Sequence, residues 1–367
     1  MKIHFSLILM ALLLGFLPRA AFAVYDKAYV GDTVEYRAKY EDTFVYIARD
    51  YGLGYVEMRA ANPGIDPWVP GAGTKLTLPT RHLLPDAPRE GLVINLPEMR
   101  LYAFVHGDDA PESFPLGIGR EGLDTPLGAT KVIRKVEGPV WRPTARMRRE
   151  KPELKEVVPP GPDNPMGTHA LYLGWPQYAI HGTDRPFGIG RRVSSGCIRL
   201  YPEDIIRVYE IAPVGTRVTV VDQPIKVGWI DDELFIEAHQ TVEQSVDMEE
   251  TGQISAPKLT DKDMERIIKA AGEYKDRLRW PAIRTAVRER RGYPVAIARR
   301  PRLQVENETP SDEENAASEA MAADVKVSKE EIKQSMEELY GDGAAAGEVH
   351  PEAKTVYGVD TFSTLNP

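Results

Sequence analysis

The sequence predicts a mainly β protein: a β-sandwich or barrel, with a small βααβ module before it and a helical extension and acidic tail after it. Three observations predict this. Between Gly91 and Val221, short β-rich runs recur between turn residues (GLVINL, RLYAF, SFPLGIG, ATKVIRKVEG, HALYLG, YAIHG, TRVTVV). One stretch in that region has convincing helical spacing, PEDIIRVYEIA from Pro202, with Ile205, Ile206, Val208 and Tyr209 expected on its apolar side. Hydrophobic residues make up 42% of the 367 residues, enough for a sizeable core.

Lys2 precedes an apolar run from Phe5 to Leu17, and Ala21-Phe22-Ala23 has the form of a cleavage site, so residues 1–23 are expected to be a cleaved signal peptide. The run is shorter than the ~20 apolar residues that a spanning helix needs. Residues 36–80 begin with EYRAKY and end with KLTLP, both strand-like. Between them DTFVYIARDYG places Phe44, Ile47 and Ala48 at helical spacing, with Asp42 or Thr43 as N-cap and Gly52 as stop; a second helix near YVEMRAAN ends at Asn62-Pro63. A proline-rich linker, 81–89, leads to the β-rich region, 90–222, which opens on a hairpin turning at Pro97-Glu98-Met99.

Residues 223–302 are expected to hold a closing strand pair, DQPIKVGWIDDELFIEA, and amphipathic helix with Ile267, Ile268, Ala271 and Tyr274 in phase. Many arginines follow, read as a solvated face. Residues 303–367 carry 15 acids and 4 bases, more than the whole chain's net charge of −9, so the folded body is near neutral and nothing points to nucleic acid. This tail is expected to be disordered, apart from one short helix capped at Ser328.

The chemistry centres on Cys197, the one cysteine of the chain, in HGTDRPFGIGRRVSSGCIRL, residues 181–200. A solitary thiol in an exported chain is either buried and inert or a nucleophile. A thiol with the free pKa of about 8.5 is mostly protonated at neutral pH and needs a base beside it. His181, at the end of the strand-like YAIH, is that candidate base. Gly196 permits a positive φ or close approach of a substrate, and the amides of Gly196 and Cys197 are candidate oxyanion donors. Together these residues describe acyl transfer through a thioester. No metal or cofactor is expected, because the cysteine is single and no histidine pair has ligand spacing.

EDTFVYIARDYG, RAANPGID and VPGAGTKLTLP resemble a LysM domain, which implies binding of N-acetylglucosamine polymers by residues 36–80. The 181–200 segment resembles the catalytic motif of the L,D-transpeptidases, the YkuD-like enzymes of the bacterial cell wall. LVINLPEMRLYAF, DTPLGATKV, NPMGTHALYLG and QPIKVGWIDDELFIEAH extend the likeness to the Gram-negative, ErfK/YbiS-like subgroup with an N-terminal LysM, over roughly residues 36–300.

The resemblance implies Cys197 as nucleophile, His181 as base, and the Gly182 carbonyl as the group orienting the imidazole. Many family members have histidine where this chain has Ser195. Arg199, Ser194, Ser195 and Tyr178, with Trp141, are the implied substrate-binding residues, and the Arg199 fork suits a carboxylate. The implied partner is peptidoglycan, through stem peptides and glycan strands, in the periplasm. The acceptor amine is another stem, giving a 3→3 cross-link, or a lysine of an outer-membrane protein. Carbapenem-type inhibitors are expected to acylate Cys197. The alternatives are a stem-peptide hydrolase using the same Cys–His site and a non-catalytic wall-binding protein. WRPTARMRREK, from Trp141, is expected to be a cationic loop near the site, with Arg146, Arg148 and Arg149 facing anionic stem peptides.

Overall fold

In the computed structural model, described for residues 25–255 and 259–301, the β-rich runs after Gly91 build an eight-stranded sheet. Its order is Ile198–Arg199, Ala179–His181, His169–Leu173, Gly128–Glu137, Arg217–Val221, Gly91–Asn95, Arg100–Phe104 and Glu112–Pro115. Two neighbours run parallel: Arg217–Val221 beside Gly91–Asn95, and Ala179–His181 beside Ile198–Arg199. The hairpin expected at Pro97-Glu98-Met99 is present, pairing Leu92 with Ala103 and Ile94 with Leu101. The signal segment, its cleavage site after Ala23, and the acidic tail 303–367 with its short helix lie outside the described residues.

Alternation along the strands sends Leu92, Ile94, Leu101, Val132, Leu171, Ile180, Ile198 and Val218 into one core. The helix Pro202–Ile211 starts with proline at its first position, as a helix start tolerates, and closes that core with Ile205 and Val208. Ile206, expected on the same side, is 41% exposed. Successive helical residues diverge by about 100°, so Ile205 and Ile206 cannot both face the sheet.

In the N-terminal region, Val34–Arg37 pairs antiparallel with Lys75–Leu78, and helices Phe44–Asp50 and Tyr55–Ala61 lie between them in sequence. Thr43 caps the first helix by accepting from the Tyr46 amide. Phe44, Ile47, Ala48, Val56, Leu76 and Leu78 form its core, and Met248 and Ile254 complete it from far along the chain. Met248 belongs to the helix Gln244–Thr251, which therefore packs here and not with the C-terminal elements.

Those elements also differ from expectation. The strand pair Ile225–Ile230 and Glu233–Ala238 gains a third member, Val295–Arg299, from the arginine-rich stretch expected to be helical. Val295 and Ile297 are β-branched, and Ile297 is fully buried against helices Asp261–Ala271 and Trp280–Glu289.

The three regions meet at a buried cluster of charge. The ammonium of Lys226 lies 2.7 Å from both Glu98 and Glu237 and donates to the Leu83 carbonyl. Arg100 pairs with Glu57 of the N-terminal region at 2.8 Å. Burial first, then the cations Arg100 and Lys226, hold the His82 pKa well below its ordinary value, so its ring is neutral among these carboxylates. His82, Glu98 and Glu237 are placed as three metal ligands would be, but the Lys226 ammonium already supplies the cation to both carboxylates.

Candidate active site

Two short parallel strands bring the chemistry together. Ile180 is paired with Ile198 and His181 with Arg199, and both isoleucines are fully buried in the sheet core. Residues two apart on a strand share a face, so His181 and Arg199 project from the opposite face. Cys197, one residue before its strand, projects the same way, against Met166, Ala170, Ala179 and Trp141. Cys197, His181 and Arg199 all line one cavity of about 510 Å³. The sixteen residues from His181 to Cys197 thus form a loop that leaves the sheet and returns beside its own start.

His181 is 5% exposed, and its Nδ1 lies 2.6 Å from the Gly182 carbonyl oxygen. Burial, reinforced by Arg199, lowers its pKa to about 4, against the opposing pull of the Gly182 and Met166 backbone carbonyls. Burial raises the Cys197 pKa, against a backbone bond at Ala179 and the nearby Arg199 charge. Both groups are therefore neutral at neutral pH. The thiol donates to the Gln177 carbonyl at 3.5 Å, and among the described residues no hydrogen bond joins it to the imidazole. A sulfur–imidazole bond, the simplest expectation for the pair, is not formed at rest.

The turn before Cys197 differs from expectation at the Gly196 amide. The Gly196 amide, expected as an oxyanion donor, donates instead to Ser194 Oγ at 3.1 Å. Ser194, expected to contact substrate, lines the cavity but is only 1% exposed, and its hydroxyl donates to the Cys197 carbonyl. One hydroxyl thus uses both capacities to clamp the turn that carries the sulfur. Gly196 has φ +108°, and a Cβ there would lie 2.9 Å from the Tyr178 ring, so glycine is required twice over. Tyr178 lies against Gly196, and its hydroxyl donates to the Asp124 carbonyl.

Of the two arginines lining the cavity, Arg146 and Arg199, only Arg199 has no ion pair among the described residues. Its Nε is buried without a hydrogen-bond partner, and no carboxylate pairs with it among the described residues. Burial lowers its pKa, offset in part by Asp184. Ser195 and Trp141 line the same cavity. The segment expected as a cationic loop is a short helix, Ala145–Glu150, capped by Thr144. Arg146 reaches the cavity but is paired with Glu150 at 2.7 Å, and Arg148 with Glu156 at 3.5 Å. The lid therefore offers less free positive charge than its sequence does.

Residues 89–220 match the family model of the YkuD domain, the L,D-transpeptidase catalytic domain. This segment is similar to that catalytic domain. The chain is 50% identical over 200 residues to the probable L,D-transpeptidase YbiS of Escherichia coli (strain K12), covering 53% of this chain and 65% of that protein. It is 47% identical over 204 residues to the probable L,D-transpeptidase ErfK/SrfK of Salmonella typhimurium, covering 54% of this chain and 66% of that protein. It is thus similar to the Gram-negative ErfK/YbiS group, while spanning slightly less than two thirds of those relatives' length. An L,D-transpeptidase structure from Mycobacterium smegmatis is 18% identical, with a TM-score of 0.30 over 55% of this chain and 96% of that one.

Three supports of the site are not apparent from the sequence. Thr125 bridges the turn to the sheet, accepting from the Gly119 amide and donating to the Gly196 carbonyl at 2.9 Å. Gln177, at φ +69°, presents the carbonyl that holds the thiol. Asn164 is fully buried and bonds the Pro139 carbonyl and Met166 amide, fixing the walls around Trp141 and Met166. Thr125 and Asn164 lie in the quoted DTPLG and NPMG runs, so buried polar residues there were the available signal.

Proposed function

We propose that this chain is a periplasmic L,D-transpeptidase acting on peptidoglycan stem peptides. The observation that carries the reading is the common cavity of Cys197, His181 and Arg199. A protonated thiol beside a neutral imidazole suits deprotonation during attack rather than a resting ion pair.

In the proposed reaction the sulfur attacks the carbonyl joining the third stem residue, a diamino acid, to its terminal D-alanine. The thiol proton passes to His181 Nε2, left open because Nδ1 donates to Gly182. With the Gly196 amide engaged, the Cys197 amide is the oxyanion donor of the pair first considered. The carbon–nitrogen bond breaks, the amine leaves with the proton from His181, and the acyl group stays as a thioester. An acceptor amine then attacks, gives its proton to His181, and the thiolate leaves and is reprotonated. Arg199 receives a carboxylate of the donor stem. The N-terminal module holds glycan strands, and the acceptor is a second stem amine or a lysine of an outer-membrane protein.

The test is to incubate the purified protein with disaccharide-tetrapeptide and weigh the products. Dimers with loss of D-alanine, absent with Cys197→Ala, are expected. Monomers lacking D-alanine would instead mean hydrolysis, and no Cys197-dependent product would overturn the proposal. A carbapenem is expected to add its mass to the wild type and not to Cys197→Ala.

A further inference from the structure

The loop between His181 and Cys197 is not held by the β-rich region alone. The Tyr55 and Val56 amides, in the first turn of helix Tyr55–Ala61, donate to the Ile189 and Gly190 carbonyls at 3.4 and 3.3 Å. Gly190 has φ +75°, and a Cβ there would lie 2.3 Å from the Tyr55 nitrogen. The next residue, Arg191, lays its guanidinium 3.7 Å from the centroid of the Tyr55 ring and pairs with Glu249 at 2.5 Å. Glu249 follows Met248, which is part of the N-terminal region's core.

On the other side, this loop is bound to the sheet edge. Gly190 donates to the Leu116 carbonyl, Ile118 donates to the Arg191 carbonyl, and Arg192–Ser194 pairs with Ile118–Gly119. Ser194 then clamps Gly196 and Cys197. Backbone hydrogen bonds thus run from Tyr55 to the Arg192–Ser194 strand, and the Ser194 hydroxyl carries the connection to the sulfur-bearing turn.

We infer that the N-terminal module is a positioning element for Cys197, acting through the contact of Gly54 and Tyr55 with Gly190, and not only a tether to the wall. The inference rests on the proposed transpeptidase reading for its rate measurement. Active sites lose turnover steeply when a reacting group is displaced, on the order of a hundredfold per ångström. A module that sets the loop therefore sets kcat, while the donor pocket around Arg199 keeps its affinity.

Gly54→Ala tests this from the module side. Gly54 has an ordinary backbone, φ −90° and ψ 154°, so alanine fits its own conformation. Its Cβ, however, would lie 2.8 Å from the Gly190 Cα, and the loop must move. The full chain is assayed with soluble disaccharide-tetrapeptide, for which tethering to the wall is irrelevant. Expected are a kcat lower by about tenfold, an unchanged KM and a melting temperature lowered without loss of the folded state at assay temperature.

Unchanged kcat would overturn the inference. If the wild type itself fails to turn over, the proposed function falls, and the rate of Cys197 alkylation by iodoacetamide decides the positioning role alone. A changed rate in Gly54→Ala supports it and an equal rate overturns it. Should Gly54→Ala not fold, Glu249→Gln, which weakens the Arg191 contact, is read the same way, with about a threefold effect expected on either rate.

Discussion

The Nδ1 of His181 lies 2.6 Å from the carbonyl oxygen of Gly182, and a carbonyl can only accept, so the ring proton sits on Nδ1. Nε2 is then a lone pair available to take the thiol proton. This one contact, between neighbours in sequence, sets the tautomer that the proposed proton transfer requires.

The pH dependence of kcat/KM follows from that site. The His181 pKa is lowered to about 4, so its neutral, proton-accepting form persists well below the ordinary range of a histidine. Activity is expected to hold down to about pH 5 and to fall as pH drops through about 4. In stability, the depressed pKa means that the unfolded state takes up a proton first. The contribution is present above the unfolded value of about 6.5 and is lost as pH falls toward 4. An acid limb of kcat/KM centred near 6.5 would refute this assignment.

Ser194→Ala separates clamping from substrate contact. The variant leaves the Gly196 amide and the Cys197 carbonyl without their partner. Expected are a destabilisation of about 1–3 kcal/mol and a fall in kcat at constant KM, read from denaturant titration and steady-state kinetics. A rise in KM alone would restore Ser194 to the substrate-binding set.

Arg199→Met removes the cavity's unpaired cation while keeping similar length. A charge-assisted hydrogen bond contributes about 1.5–3 kcal/mol, so kcat/KM for a carboxylate-bearing donor stem is expected to fall by one to two orders of magnitude. An amidated donor stem should lose far less, and equal losses for both donors would remove Arg199 from carboxylate recognition.

Lys226→Met addresses the buried charge cluster. Glu98 is held below its ordinary carboxylate pKa even though burial pushes it upward, because Lys226 and His239 outweigh that penalty. Without the ammonium, Glu98 and Glu237 lose their shared partner, and breaking a buried pair costs about 3–5 kcal/mol. Thermal melts should show a large loss, partly recovered on acidification as the carboxylates protonate. A melting temperature within a degree of wild type would contradict it.

Much of the site was legible because strand periodicity is local. YAIH and GCIRL each alternate, and once they pair in parallel their histidine, cysteine and arginine share a face. The mainly β class was legible for the same reason. What could not be read depends on distance along the chain. The Ser194 hydroxyl bonds within its own turn because the loop closes over it, and Thr125, 71 residues before Gly196, holds that closure. Met248 looks like an ordinary residue of a polar helix until the N-terminal core is seen to lack one side. Val295–Arg299 sits among arginines that suggest helix, and the open edge of Glu233–Ala238 overrides them.

The meeting of Glu57, Glu98, Arg100, Lys226 and Glu237 has a consequence for biogenesis. An acid buried before its counter-ion arrives is strongly penalised, and Lys226 is made 29 residues after Cys197. A nascent chain therefore reaches the thiol while its scaffold is still open, and closure waits for the last strands. The pocket that holds Cys197 therefore rests on a scaffold that three separated stretches complete together.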